Sequence, residues 1–233
     1  MGLTISSLKC TCDEAYLSYH SKRHGPHHFI SCVLVPDLFR GDPWSQSRLH
    51  TEFEPWLIPD LFRGDPWSQS RLHTEFEPWL TSQLASRVAK DIDTSVKWLA
   101  NEFTAAGISE KLGIIGFCFG GGKLIETLAR DQHSKFGTGV CFYGTRIDTS
   151  LARDIKVPVL FICGDKDHLC PLGILEEVEK TVEGSRVVIY SGRGHGFAHR
   201  PESQEEDDDA ENAFAIMRSW LQDCLVSVKN RIV

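Results

Sequence analysis

The apolar positions of the chain change rhythm partway along it. Between residues 83 and 104, Leu84, Val88, Ile92, Leu99 and Phe103 recur at helical spacing among charged positions, which predicts an amphipathic helix. Beyond it, short continuous apolar runs take over: GIIGF at 113–117, VCFYG at 140–144, VPVLFICG at 157–164 and RVVIYS at 186–191. Helical stretches near 120–131 and 172–182 separate them, and a last one near 209–227 carries Ala213, Phe214, Met217, Trp220, Leu221, Cys224 and Leu225 on one face. Buried strands alternating with helices are the pattern of βαβ units, so an α/β fold with a mostly parallel central sheet and helices on both faces is expected. The acidic run EEDDD at 205–209 is read as preceding the last helix, where negative charge complements the helix dipole; metal binding is the less favoured use.

Ahead of residue 83 the dominant feature is a repeat. PDLFRGDPWSQSRLHTEFEPWL occupies 36–57 and recurs letter for letter at 59–80, with Val35 before the first copy and Ile58 before the second. Two identical units do not make a solenoid, which needs at least three. A copying event is the preferred origin. One copy is then expected to take its place in the fold while the other loops out or packs poorly, so that deleting 58–80 leaves stability unchanged or raised, since a longer loop costs little entropy.

Residues 1–30 carry no evident strand pattern and are set apart from a domain running over 31–233. They hold Cys10, Cys12, His20, His24, His27 and His28, whose spacing matches no standard zinc site. Met1, Gly2 and Ser6 fit the permissive N-myristoylation pattern, with Cys10 and Cys12 available to palmitate, but a loosely ordered start of a soluble enzyme is preferred.

Composition then removes whole classes of function. A chain of 233 residues that is 41% hydrophobic and 24% charged is a folding sequence rather than a disordered one. Its formal net charge of -7 gives no electrostatic footprint for nucleic acid. No apolar run reaches the roughly 18 residues of a membrane-spanning helix. The first residues lack the basic and apolar regions of a secretory signal. Eight cysteines without regular spacing read as reduced thiols, which favours the cytoplasm or an organelle stroma.

The strand GIIGF runs into Cys118 and then FGGGKLIETLA, so that G-F-C-F-G reproduces the nucleophile elbow G-x-S-x-G with cysteine in the serine position. Glycines flank the nucleophile because it sits in a sharp strand-to-helix turn where neighbouring Cβ atoms would clash. The turn also puts the thiol at a helix N-terminus, whose dipole favours the thiolate. A structural cysteine is the bland alternative; a phosphate cradle is disfavoured, because no GKS or GKT follows and the G-x-G-x-x-G spacing is absent. On this scaffold the acid and the histidine should follow in that order, each after a later strand. VPVLFICG leads into Asp165, Lys166, Asp167 and His168, and RVVIYS leads into GRGHGFAH with His195 between glycines.

At GFCFGGG, GDKDHLCP and GHGFAHR the sequence resembles the dienelactone hydrolases, including the carboxymethylenebutenolidase-like proteins, over residues 31–227. The resemblance implies an α/β-hydrolase fold and hydrolysis of a small ester or lactone through a thioester, without a metal or organic cofactor. It makes Cys118 the nucleophile, His195 the general base and Asp167 the orienting acid; Asp165 is the rival, set aside because the family places its carboxylate four residues before the proline, here Pro171. The Phe119 N–H becomes one donor of the oxyanion hole. Arg200 and Arg48, or its copy Arg71, are loose candidates for holding an acidic substrate. The early glutamate that contacts the nucleophile in the family, and the second oxyanion donor, have no evident counterpart in residues 1–30, where Glu14 is the single glutamate, so an incomplete set of N-terminal strands is expected. A non-catalytic relic that only binds small molecules in the old pocket is the alternative reading.

Overall fold

A computed structural model describes residues 17–18, 32–35, 56–68, 70–105 and 111–226. The strands among them are β1 (Leu17–Ser18), β2 (Cys32–Val35), β3 (Trp56–Pro59), β4 (Leu112–Phe117), β5 (Phe136–Phe142), β6 (Val159–Gly164) and β7 (Arg186–Tyr190). They form one sheet in the order β1-β3-β2-β4-β5-β6-β7. β2 to β7 are parallel, and only the two-residue β1 runs antiparallel, against β3. The helices are α1 (Phe76–Ser82), α2 (Ala85–Ala105), α3 (Phe119–Ala129), α4 (Leu172–Thr181) and α5 (Gln204–Leu225). This is the expected α/β architecture, with three strands described ahead of β4.

The inner strands are continuous apolar runs because both of their faces are covered. Every residue of β4 and of β6 is buried, as a parallel strand with helices on each side requires. Beneath the carboxyl end of the sheet an aromatic layer forms, with Phe117 stacked on Phe142 at 4.7 Å and Phe214 of α5 at 5.4 Å from Phe142. In α2 the buried stripe is Val88, Ile92, Val96 and Leu99. Leu84 falls outside it: this side chain is exposed just before the helix, and its carbonyl accepts the Val88 N–H.

Two elements begin earlier than the hydrophobic pattern suggests. α5 starts at Gln204 rather than near 209, so the acidic run lies inside its first turns. The Ser203 hydroxyl accepts the Glu206 N–H while the Glu206 carboxylate accepts the Glu202 N–H, and this local capping fixes the start before any apolar residue is reached. β5 begins at Phe136, where Gly137 and Gly139 leave room for Leu225, Leu124 and Leu128; the glycines hide the strand in the sequence.

The second copy of the repeat does not loop out. Its Leu61, Phe62, Trp67, Trp79 and Leu80 are buried in the main core. Trp67 lies 5.4 Å from Trp79, Phe62 lies 5.3 Å from Trp79, and Phe62 reaches Phe119 at 6.0 Å. The segment is pinned by Arg87, which donates to the Leu61 carbonyl and pairs with Asp91, and by Arg63, which pairs with the same Asp91. Of the first copy, Trp56 and Leu57 form half of β3, while 36–55 lies outside the described residues. The cysteine and histidine cluster of the first 28 residues and the acylation pattern also lie outside them.

Candidate active site

The site lies where β4, β6 and β7 deliver their loops to the same edge of the sheet. β4 ends at Phe117, and Cys118 makes the turn into α3 with φ 52° and ψ -117°. Such a positive φ is rare for a residue with a side chain, and here neighbouring backbone holds it. The Cys118 N–H donates to the Phe142 carbonyl, and the Cys118 carbonyl accepts the N–H groups of Gly121 and Thr145. Gly116 has to lack a side chain, because a Cβ there would collide with the Gly120 carbonyl; at Gly121 a Cβ would strike Cys141 Sγ at 2.7 Å. The glycine ahead of the nucleophile and the second glycine of α3 are thus required by space. Phe119 opens α3, so its N–H is one that helix geometry leaves without an intrahelical acceptor.

Asp167 follows β6 in a tight loop. Its carboxylate is buried: Oδ1 accepts the N–H groups of Leu169 and Cys170 at 2.8 and 3.1 Å, which leaves Oδ2 for His195 Nδ1 at 2.8 Å. His195 follows β7, and its Nε2 lies 3.1 Å from Cys118 Sγ. The three residues picked out from separate stretches of sequence are therefore brought into one hydrogen-bonded line. Asp165 is not part of it; its carboxylate accepts the Gly192 N–H at 2.7 Å and the Ser191 hydroxyl at 3.2 Å.

The charge state of His195 follows from these neighbours. Burial of the ring opposes the charged form, but hydrogen bonds to Asp167 and Cys118, with the charges they carry, outweigh it and lift its pKa from 6.5 to about 9. In that state both ring nitrogens donate, Nδ1 to Asp167 and Nε2 to sulfur. Burial pushes the Cys32 and Cys141 thiols up to about 12, while Cys170 is raised by its hydrogen bond to Cys163 and by burial. The six described cysteines are free thiols.

Two neighbours of the site had gone unnoticed. Tyr143, fully buried and at φ 36°, sets its ring edge-to-face with His195 at 5.2 Å, and its hydroxyl bonds His199 Nδ1 at 3.1 Å. In sequence Tyr143 was the penultimate residue of an apolar strand; only its place at the strand's carboxyl edge marks it. Of the arginines considered for substrate, Arg71 is paired with Asp65 and lies over the Trp67 ring at 5.7 Å, Arg200 is half-buried beside Gly196, and Arg48 is outside the described residues. Among the described residues no group of three or more metal-ligating side chains converges. No described helix is long and apolar enough to cross a membrane.

Comparison with known proteins agrees with this architecture. Residues 32–225 match the dienelactone hydrolase family. A carboxymethylenebutenolidase homolog from Xenopus tropicalis is 31% identical over 84% of this chain and 70% of its own length. The Homo sapiens carboxymethylenebutenolidase homolog is 30% identical over 72% of this chain, and the match spans 59% of that relative's length. Among solved structures, a Klebsiella pneumoniae protein designated a dienelactone hydrolase superposes with a TM-score of 0.71 at 23% identity, covering 89% of this chain and 91% of the other. The dienelactone hydrolase from Anabaena variabilis gives 0.62 at 18% identity, covering 89% and 93%. With 194 consecutive residues matched, the chain belongs to the dienelactone hydrolase family.

Proposed function

We propose that this protein hydrolyses small carboxylic esters or lactones with Cys118 as nucleophile, His195 as acid and base, and Asp167 as the group that orients the imidazole. The observation that carries the reading is the continuous line from Asp167 Oδ2 to His195 Nδ1 at 2.8 Å and from His195 Nε2 to Cys118 Sγ at 3.1 Å. Names carried by relatives give it a substrate class, since carboxymethylenebutenolidases open a lactone.

The chemistry follows from who holds the proton. His195 Nε2, 3.1 Å from the sulfur, takes up the Cys118 thiol proton, and the sulfur attacks the carbonyl carbon. A C–S bond forms, the carbonyl π electrons move to oxygen, and the Phe119 N–H donates to that oxyanion. Collapse breaks the C–O bond; the departing alkoxide takes the proton from Nε2 and leaves a thioester. His195, now neutral, removes a proton from water, hydroxide adds to the thioester, and collapse returns the thiolate and the imidazolium. In a lactone the alcohol stays tethered to the acyl group, so one ring-opened hydroxy acid is released. No step calls for a metal or an organic cofactor. Residues 31–233 act as one hydrolase domain that includes the repeat, in a compartment that keeps its thiols reduced.

The test is hydrolysis of a small activated ester and of an unsaturated lactone by the full chain. Wild type is expected to turn over both, while Cys118→Ala and His195→Ala, folded by circular dichroism, lose activity to background. Full activity in Cys118→Ala would remove the mechanism, and inert wild-type protein would favour the small-molecule binding alternative.

A further inference from the structure

We infer that Asp165 is a positioning residue for His195: it ties the histidine loop to the acid loop and so sets the distance from Nε2 to the sulfur of Cys118. The inference rests on the catalytic reading above and goes beyond it, because Asp165 touches neither substrate nor the reacting atoms.

The loops after β6 and β7 are joined by a short ladder that continues beyond the sheet. The Asp165 N–H donates to the Tyr190 carbonyl at 3.1 Å and the Lys166 N–H to the Arg193 carbonyl at 3.0 Å. Gly164 lies flush against the Arg193 carbonyl, where no Cβ would fit. These backbone contacts hold residues 190 and 193 but do not reach the turn between them. Asp165 fills that gap: Oδ1 takes the Gly192 N–H at 2.7 Å and Oδ2 the Ser191 hydroxyl at 3.2 Å. Gly192 sits at φ 78° and reverses the chain three residues before His195. On the far side Arg193 Nε is anchored to Asp209 of α5 at 2.5 Å. The loop is thus fixed on one flank by α5 and on the other by Asp165. A carboxylate accepting a backbone N–H is a strong hydrogen bond, and it spans the loop that carries the base and the loop that carries the acid.

The two aspartates of GDKD therefore divide one task. Asp167, buried, sets the tautomer and tilt of the imidazole by direct contact. Asp165, exposed, sets where the backbone beneath that imidazole lies. Small displacements matter at this point because sulfur and nitrogen must stay within hydrogen-bond reach for a proton to pass between them.

The experiment compares wild type, Asp165→Ala and Asp165→Asn by two readouts. One is the rate of Cys118 alkylation by iodoacetamide between pH 5 and 10, read by peptide mass spectrometry; the other is kcat and KM for a small activated ester. Asp165→Ala should slow Cys118 alkylation at neutral pH by about 10-fold and lower kcat similarly with KM little changed, as expected for loosened geometry. Its alkylation profile should move toward that of an ordinary thiol. Asp165→Asn keeps an oxygen to accept the Gly192 N–H and should recover most of both. A wild-type profile and kcat in Asp165→Ala would overturn the inference, as would unfolding of Asp165→Asn, which would assign the residue to the fold. A shifted profile without any wild-type hydrolysis would leave the positioning role and remove catalysis; hydrolysis with an unshifted profile would do the reverse.

Discussion

Cys118 is held in a backbone conformation that costs on the order of 1–3 kcal/mol, and the neighbouring hydrogen bonds over-determine it. The strain is used: φ 52° lifts the sulfur off the strand end toward His195 while the helix begins beneath it. Of the three hydrogen-bonded residues, His195 has the pKa that burial and its two partners shift. Its folded-state pKa of about 9 stands above the ordinary 6.5, so the stabilisation gained from pairing the imidazolium with Asp167 is fully present below pH 6.5 and is lost as pH rises through about 9. Asp167→Asn removes the charge that the imidazolium faces. The gap in melting temperature between wild type and this variant should be widest near pH 6 and close by pH 10, which thermal melts at several pH values will read. The same variant should retain some hydrolysis, with kcat lowered by about 100- to 10,000-fold, because an orienting residue forms no bond to substrate. A gap that widens with pH would contradict the charge assignment.

The element scale turns on the repeat. β2 and β3 each lead into a copy of the repeat, CVLV ending before Pro36 and WLIP ending at Pro59, and both are strands of the sheet, paired in parallel through Cys32 with Trp56 and Val33 with Leu57. β2 lies between β3 and β4, so the two strands occupy different places. Deleting 58–80 leaves one copy, but a single strand cannot both pair with β4 and launch the packed segment from the next position, one inter-strand spacing of about 4.8 Å farther out. The expectation of unchanged stability therefore gives way to a loss: a cost of about 3 kcal/mol or more corresponds to a melting temperature lower by roughly 6–12 °C in a domain of this size. An unchanged or higher melting temperature in the deleted chain would mean that β2 can replace β3.

This is also where legibility in the sequence divides. β4, β6 and the elbow could be read because burial on both faces forces continuous apolar runs and because the turn leaves no room for a side chain at Gly116, two residues before Cys118. The order of nucleophile, acid and histidine along the chain was readable because each follows an apolar run that forms a strand, although β7, ahead of His195, is only partly buried. The start of α5 was not, since Ser203 and Glu206 set it through hydrogen bonds that leave no mark in hydropathy. Nor was the packing of Trp67 and Trp79, because identical copies carry identical patterns and only their connections to β3 and α2 distinguish them. Asp165 could be named as a candidate acid, but its attachment to Gly192 depends on how two loops 27 residues apart meet.

For the whole molecule, the parallel sheet acts as a frame that brings distant segments to one edge. Cys118 and His195 are 77 residues apart in sequence and Asp167 and His195 are 28 apart, yet all three meet above an aromatic layer built by Phe117, Phe142, Tyr143 and Phe214. The family match over 32–225 covers all of these residues and the second copy of the repeat. The central claim is that this edge forms a thioester on Cys118. Intact-protein and peptide mass spectrometry of the full chain, acid-quenched during turnover of a slowly deacylating activated ester, tests it most directly. Wild type should gain the mass of one acyl group, located on the peptide containing Cys118, and Cys118→Ala should gain none. Acyl mass found on another cysteine, or turnover without any acylated protein and unaffected by Cys118→Ala, would contradict the account.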